Sequence, residues 1–332
     1  MILAAGYGTR LWPLTTDRTK PAIPVLGRPL VGYVAEYLSR YGCTDVVVNL
    51  HHHPESVRDA LGDGSRFGVK LHYVFEPEIL GTSGALDNAR DLLADSTFIV
   101  VNGKIITDIN LAEALETHRR TNALATLVLQ RNPTRARFSI VETREGLVIG
   151  FGCMPAPASD NAGGVDDGQT NAEVPLMFTG IQILEPRIFD YIPRGVFSHS
   201  TKDVYPKAIA QGERIVAHIA GGMWHELSTI PRYLEINLAL MAAVGREVEL
   251  GENSYISTEA RVRQSILWDD VRVEAGAQVT RAILADGVQV RSGETLDNVA
   301  VVRAELIGSE TPPPKALKGK VIGDNFVVPI PQ

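Results

Sequence analysis

Apolar residues along this chain recur in two periods. Short apolar runs at 1–5, 45–50, 70–75, 97–101 and 124–129 have the length of strands, and each of the first four is followed by helical spacing. Leu30, Val34, Tyr37 and Leu38 share one helical face, and Ala85, Ala89, Leu92 and Leu93 share another. Strand–helix alternation predicts an α/β fold with a mainly parallel sheet covered on both faces. Ligands then bind beyond the carboxyl ends of the strands. Further along, 174–184 reads as a strand, Lys202 to Gln211 as a helix, and Pro231 to Val244 as a long helix. Residues 155–173, rich in Gly, Asp, Asn, Ala and Pro, read as a mobile loop.

The pattern changes after Gly245. Ile266 matches Ile283, Val271 matches Val288, Val273 matches Val290, Gly276 matches Gly293 and Val279 matches Leu296, all at an offset of 17 residues. A short period with small β-branched residues and recurring Gly predicts a solenoid, here a short β-helix, over a chance repeat of hairpins. Val273 and Val290 are expected inside the coils. Three parts follow: a first domain over 1–245, a β-helix over 246–310, and a Pro-led tail over 311–332 that is basic, then apolar.

Composition narrows the class. The net charge is −7, with no basic surface to argue for nucleic acid. No apolar stretch approaches the ~18 residues of a membrane span. The start does not read as a signal peptide, because a glycine loop follows Ala5 at once. The first apolar run is short for a buried strand, so a few residues are expected to precede Met1 in the native gene. Cys43 and Cys153 form neither a disulfide framework nor a metal-ligand pattern, and a reducing cytoplasm is the expected location.

The local chemistry begins at LAAGYGTRLWPLTTDRTKPAIPV, residues 3–25. Glycines at 6 and 8 permit positive φ and let backbone N–H groups face a phosphate. Arg10 can fork two phosphate oxygens, and Lys20 brings a second cation. A tight strand-to-helix turn with two solvated cations explains the same letters. The turn is neither a Walker loop nor the dinucleotide fingerprint.

Residues 3–25 resemble the signature of the sugar-1-phosphate nucleotidyltransferases, the nucleotide-sugar pyrophosphorylases, and most of all their mannose-1-phosphate guanylyltransferase-like branch. Val48-Asn49-Leu50 with the 62–68 turn, Glu76 to Ala85, Phe178 to Ile181 and Trp224 to Tyr233 are similar to that branch as well. The resemblance runs to about residue 305 and includes the terminal coils. It implies a GT-A-like (Rossmann-like) nucleotidyltransferase domain followed by a short left-handed β-helix. The reaction it implies is NTP + sugar-1-phosphate ⇌ NDP-sugar + pyrophosphate, with GTP and mannose-1-phosphate or a related sugar favoured. By resemblance Leu3, Ala5 and Gly6 border base and ribose. Gly8, Thr9 and Arg10 hold the triphosphate, and Lys20 steadies the phosphates in transfer. Leu80, Gly81 and Thr82 close over the base, while Gly180, Thr179 and Glu173 line the sugar side.

The chain departs from the family at three places. Where relatives carry Asn-Gly-Asp, it has Asn102-Gly103-Lys104; the family's aspartate holds a divalent metal. The second carboxylate survives as Glu226, in Trp224-His225-Glu226. Cys153-Met154-Pro155 stands where Glu-Lys-Pro is usual. Mg²⁺ is the cofactor that the family implies and Lys104 counts against, because an ammonium donates only and is positive. Three readings stay open: Lys104 supplies part of the metal's charge beside Arg10 and Lys20, the site binds nucleotide sugar without turnover as a regulatory paralogue, or Lys104 only faces solvent. The resemblance puts Lys104 and Glu226 together where relatives hold the metal, so in the empty site the two are expected to pair.

Other residues suggest chemistry less strongly. His51-His52-His53 reads as a solvated loop near the ligand, its side chains diverging, rather than a metal cluster. Alternation points His225 away from Trp224 and Glu226. Cys153 reads as inert, and Ser198, His199 and Ser200 lack a nucleophile elbow. Tyr205 and Lys207 sit on a helix and fit packing or sugar contact equally. The partners implied are an NTP and a sugar-1-phosphate, with no nucleic acid and no membrane. The coils favour a homo-oligomer, a dimer or higher.

Overall fold

The computed structural model describes residues 1–134, 139–153, 174–308 and 311–331. They form two compact units that interleave along the chain. One holds Met1–Leu3, Glu76–Asn102 and Thr107–Trp224; the other holds Ala4–Phe75, Gly103–Ile106 and everything from His225 onward.

In the first unit the strand Ile2–Leu3 pairs in parallel with Phe98–Asn102. Leu176–Leu184 runs antiparallel to Phe98–Asn102 on one side and to Ala125–Arg131 on the other. Ile215–Ile219 returns in parallel beside Ala125–Arg131. Leu147–Cys153 then pairs antiparallel with Ile215–Ile219 and with Ser139–Arg144. The sheet is therefore mixed; of its antiparallel strands, Ser139–Arg144 and Leu147–Cys153 are the ones that the apolar periods did not reveal. The stretch Ser139–Arg144 alternates exposed and half-buried positions and has only Val141 fully inside. Such a strand gives a weak apolar signal.

The helical face at Ala85 is real but shorter than its spacing suggested. The α-helix Gly81–Asn88 stops, and a 3₁₀ turn at Arg90–Leu92 takes over. The segment expected as a helix over 202–211 divides too, into a π-turn Ser200–Val204 and an α-helix Tyr205–Ala210.

In the second unit Asp45–Leu50 and Lys70–Phe75 pair in parallel. The helix Leu30–Arg40 buries Leu30, Val34, Tyr37 and Leu38, the face read from the sequence. The helix Ile230–Ala243 begins at Thr229, whose hydroxyl accepts the Arg232 N–H and satisfies an orphan donor of the first turn.

The coils come next. Val248–Leu250, Ser265–Leu267, Ile283–Leu284 and Val299–Arg303 stack in parallel, and the register steps 17 residues at each coil, as in Ile266↔Ile283. Val273 lies over Val290, and Val262, Val279 and Leu296 form another column. Val271, Val273, Val279, Val288 and Val290 are fully buried and make one apolar core with Leu267 and Leu284.

The tail differs from its expectation. Asn325–Pro329 pairs antiparallel with Val299–Arg303, and Lys320–Ile322 pairs with Asn325–Pro329 in turn. Phe326 also packs edge-on against Trp12, with ring centroids 5.4 Å apart. Pro312-Pro313-Pro314 ends the coils, but the chain then turns back to cover the last one. Residues 154–173, which include all of the loop expected over 155–173, lie outside the described residues.

Candidate functional site

The glycine loop is anchored at its start. The backbone N–H of Ala4 donates to the buried Asn49 side-chain oxygen at 2.7 Å. Gly8 has φ +67, and a Cβ there would lie 3.2 Å from both Lys20 Cβ and Thr15 Cγ2. A side chain at 8 would thus be strained and would push Lys20 from the loop. Gly6 differs: a Cβ on it would meet nothing within 4 Å. A 3₁₀ turn, Thr9–Leu11, then exposes Thr9 and Arg10 and buries Leu11.

Lys104 and Glu226 meet in the same unit. The Lys104 ammonium donates to Glu226 Oε1 at 2.6 Å. The Leu227 N–H donates to the Lys104 carbonyl at 3.0 Å, so the backbone itself sets this approach. The Lys104 side chain is 32% exposed and that of Glu226 only 11%. Burial pushes the Glu226 carboxyl up, but the charge and hydrogen bond of Lys104, with the charges of Lys20 and Arg10, outweigh it and hold the group below its ordinary range. Lys20 goes the other way. Burial, then the charge of Lys104, push its ammonium down to about 8, against a smaller upward pull from Glu226. Arg10, Lys20, Lys104 and Glu226 therefore share one electrostatic neighbourhood.

In the other unit, Leu80, Gly81 and Thr82 are held by the segment 198–200. The Ser198 N–H donates to the Leu80 carbonyl, and the Ser83 N–H and hydroxyl donate to the Ser198 carbonyl and hydroxyl. The Ser200 N–H donates to the Thr82 hydroxyl at 2.9 Å. Gly81 has φ +75, and a Cβ there would lie 2.4 Å from the Ser198 carbonyl oxygen. Ser198 and Ser200 are thus the scaffold of the 80–82 turn. Their tight packing on Gly81 has no signature in a single sequence.

Gly180 sits at a bulge in the strand Leu176–Leu184, with φ +81. Thr179 is buried, and its hydroxyl donates to the Val128 carbonyl at 2.7 Å while its carbonyl accepts the Trp224 indole N–H. The Thr179 side chain thus shapes the bulge at Gly180. Leu3 is half-buried at the end of its strand, and Ala5 is buried. Glu173 lies outside the described residues, as do Met154 and Pro155.

A family model for nucleotidyl transferase matches residues 1–243, and one described as GlmU-like, C-terminal hexapeptide matches 241–310. The chain belongs to the nucleotidyl transferase family. Among its relatives, a UTP–glucose-1-phosphate uridylyltransferase from Synechocystis sp. is 30% identical, over 82% of this chain and 71% of that one. A mannose-1-phosphate guanylyltransferase from Mycobacterium tuberculosis is 25% identical, over 83% and 81%. An N-acetylmuramate alpha-1-phosphate uridylyltransferase from Neisseria meningitidis is 33% identical, over 71% and 95%. The crystal structure of HddC from Yersinia pseudotuberculosis shares the fold, with a TM-score of 0.59, 22% identity and coverage of 72% of this chain and 97% of that one. Membership in this family makes the chain a transferase whose C-terminal coils are hexapeptide repeats.

The remaining candidates have defined places. The expectation that the histidine side chains diverge needs correction. The His51 ring nitrogen lies 3.2 Å from the Tyr7 hydroxyl, the rings of His51 and His52 both pack 5.4 Å from that of Tyr7, and those of His52 and His53 are 4.0 Å apart. The run thus lies against the exposed tip of the glycine loop. Among the described residues no group of three or more His, Cys, Asp or Glu is placed to hold a metal ion. His225 is half-exposed between buried Trp224 and Glu226, as alternation requires. Tyr205 is buried and donates to the Gln182 side-chain oxygen, so it packs; Lys207 is exposed. No helix among the described residues is long and apolar enough to cross a membrane.

Proposed function

We propose that the chain joins a nucleoside triphosphate to a sugar-1-phosphate, with GTP and mannose-1-phosphate as its pair. In that reaction a sugar-phosphate oxygen bonds to the α-phosphorus. The bond from that phosphorus to the bridging oxygen breaks, and its electron pair leaves on pyrophosphate. No covalent protein intermediate is needed, so the protein's work is positioning and charge neutralisation. Arg10 forks oxygens of the triphosphate, Lys20 steadies the phosphates in transfer, and Lys104 adds a third positive charge. Gly6 lets the nucleotide approach the backbone.

The observation that carries this reading is the neighbourhood of three cations beside a glycine loop, linked electrostatically to Glu226. The base and sugar rest on the guanylyltransferase-like motifs of the sequence and on the Mycobacterium relative. UTP is the competing base, because the Synechocystis and Neisseria relatives are uridylyltransferases. The test is pyrophosphate release across GTP, UTP, ATP and dTTP with mannose- and glucose-1-phosphate. GTP with mannose-1-phosphate is expected to be fastest; a faster UTP pair would overturn the base assignment. Nucleotide-sugar binding with no release from any pair would favour the regulatory reading.

The same proposal includes self-association and a cytoplasmic location. The short strand Lys320–Ile322 ends a six-stranded sheet, and its Val321 and Ile322 side chains are exposed. An open edge with apolar side chains suits pairing with a second copy.

A further inference from the structure

We infer that this chain neutralises the phosphates in transfer with its own side chains and uses no divalent cation at Glu226. The inference rests on the nucleotidyl-transfer reading above. Its first support is the donor set. A magnesium ion demands near-ideal octahedral oxygen geometry and is usually held by one or two carboxylates with substrate phosphates. Here one oxygen of Glu226 already accepts the Lys104 ammonium at 2.6 Å. A cation arriving at Glu226 would meet that ammonium, with Lys20 and Arg10 acting on the same carboxylate. Both the geometry and the charge oppose it.

The second support is the sum of charges. Arg10, Lys20 and Lys104 with Glu226 make three positive groups and one negative, a sum of +2. If position 104 carried the aspartate of the resembled family, the same four positions would sum to zero, and one divalent ion would bring them to +2. Lys104 therefore supplies in a single side chain the charge that aspartate and ion supply together. Coulomb attraction on the leaving pyrophosphate depends first on that sum. What the ammonium lacks is a fixed coordination shell. Glu226 makes good part of this by holding the ammonium at a hydrogen-bonding distance, and so acts as a positioning residue.

The test compares GTP affinity by titration calorimetry in excess EDTA and in excess Mg²⁺, with pyrophosphate release measured in both. The parent is expected to keep its GTP affinity in EDTA within about threefold of that in Mg²⁺. Lys104→Asp, which places two carboxylates where like charges invite a cation, is expected to lose about tenfold or more in EDTA and recover with Mg²⁺. Lys104→Gln removes the charge without adding a ligand. It is expected to weaken GTP by about tenfold in both conditions, the effect of one charge-assisted hydrogen bond. A parent that loses tenfold or more in EDTA, or a Lys104→Gln variant that binds like the parent, overturns the inference. A parent that binds GTP equally in both conditions but releases pyrophosphate in neither sinks the nucleotidyl-transfer reading, and with it the role in transfer, and leaves standing only that GTP binds with no divalent cation at Glu226. A parent that binds no nucleotide sinks both.

Discussion

A methyl group on Gly180 would lie 2.1 Å from the side-chain nitrogen of Asn102. Asn102 closes the strand Phe98–Asn102, and Gly180 forms the bulge of its neighbour. The two positions specify each other, since φ at Gly180 is +81 and no side chain fits between them. Gly180→Ala is expected to cost at least about 1–2 kcal/mol from the left-handed backbone alone. Chemical denaturation of parent and variant measures it. Equal midpoints would mean that the bulge gives up the left-handed conformation at 180, and Asn102 its place, at no cost.

Lys20 predicts a pH dependence. Its ammonium sits at about 8, below its ordinary 10.5, because burial and Lys104 disfavour the charged form. The unfolded chain then binds this proton more tightly than the folded one. The resulting penalty is present in full below about 8 and is relieved as pH rises from 8 to 10.5, so this group's contribution to stability improves with pH across that window. Binding an anion reverses the shift. Nucleotide binding near pH 8.5 is therefore expected to take up protons, at most about three-quarters of one. Calorimetry in buffers of different ionisation heat reads this, and Lys20→Arg should abolish it.

Arg10 is exposed on the turn after Gly8. Its removal in Arg10→Ala is expected to weaken nucleotide binding by roughly 1.5–3 kcal/mol, the worth of charge-assisted bonds. Stability should barely change, because the side chain is exposed. Unchanged affinity would remove Arg10 from the triphosphate.

Val273 and Val290 lie one above the other, with no exposed surface, inside the coils. Val290→Asp would bury a carboxylate with no basic partner in that apolar core, and is expected to cost on the order of 4 kcal/mol. A variant melting like the parent would put the side chain outside.

Several of these features were legible in the letters. The 17-residue offset fixed which residues stack, because a coil that repeats its geometry must repeat its apolar positions. The face of Leu30, Val34, Tyr37 and Leu38 was legible for the same reason. The pairing of Lys104 with Glu226 followed from the family motifs taken together, and the ammonium does meet that carboxylate. What stayed hidden depends on contacts between distant segments. Thr179 looks like any polar residue beside a glycine until the bulge commits its hydroxyl to Val128. Ser198 and Ser200 carry no pattern, since they act largely through their own backbone groups, which any residue type would supply. The strand Asn325–Pro329 follows three prolines and a basic stretch, which mask its apolar core until Val301 supplies a partner.

Trp12, one residue past the 3₁₀ turn that presents Arg10, rests against Phe326. During synthesis Trp12 leaves the ribosome long before Phe326 exists. The loop proposed for nucleotide is then begun among the earliest residues, but Trp12 does not meet Phe326 until the final coil is laid down and the chain doubles back. Contacts of such long range are closed late, after most of the loop entropy has been lost. Nascent chains that stall within the coils would carry this loop without its Phe326 contact.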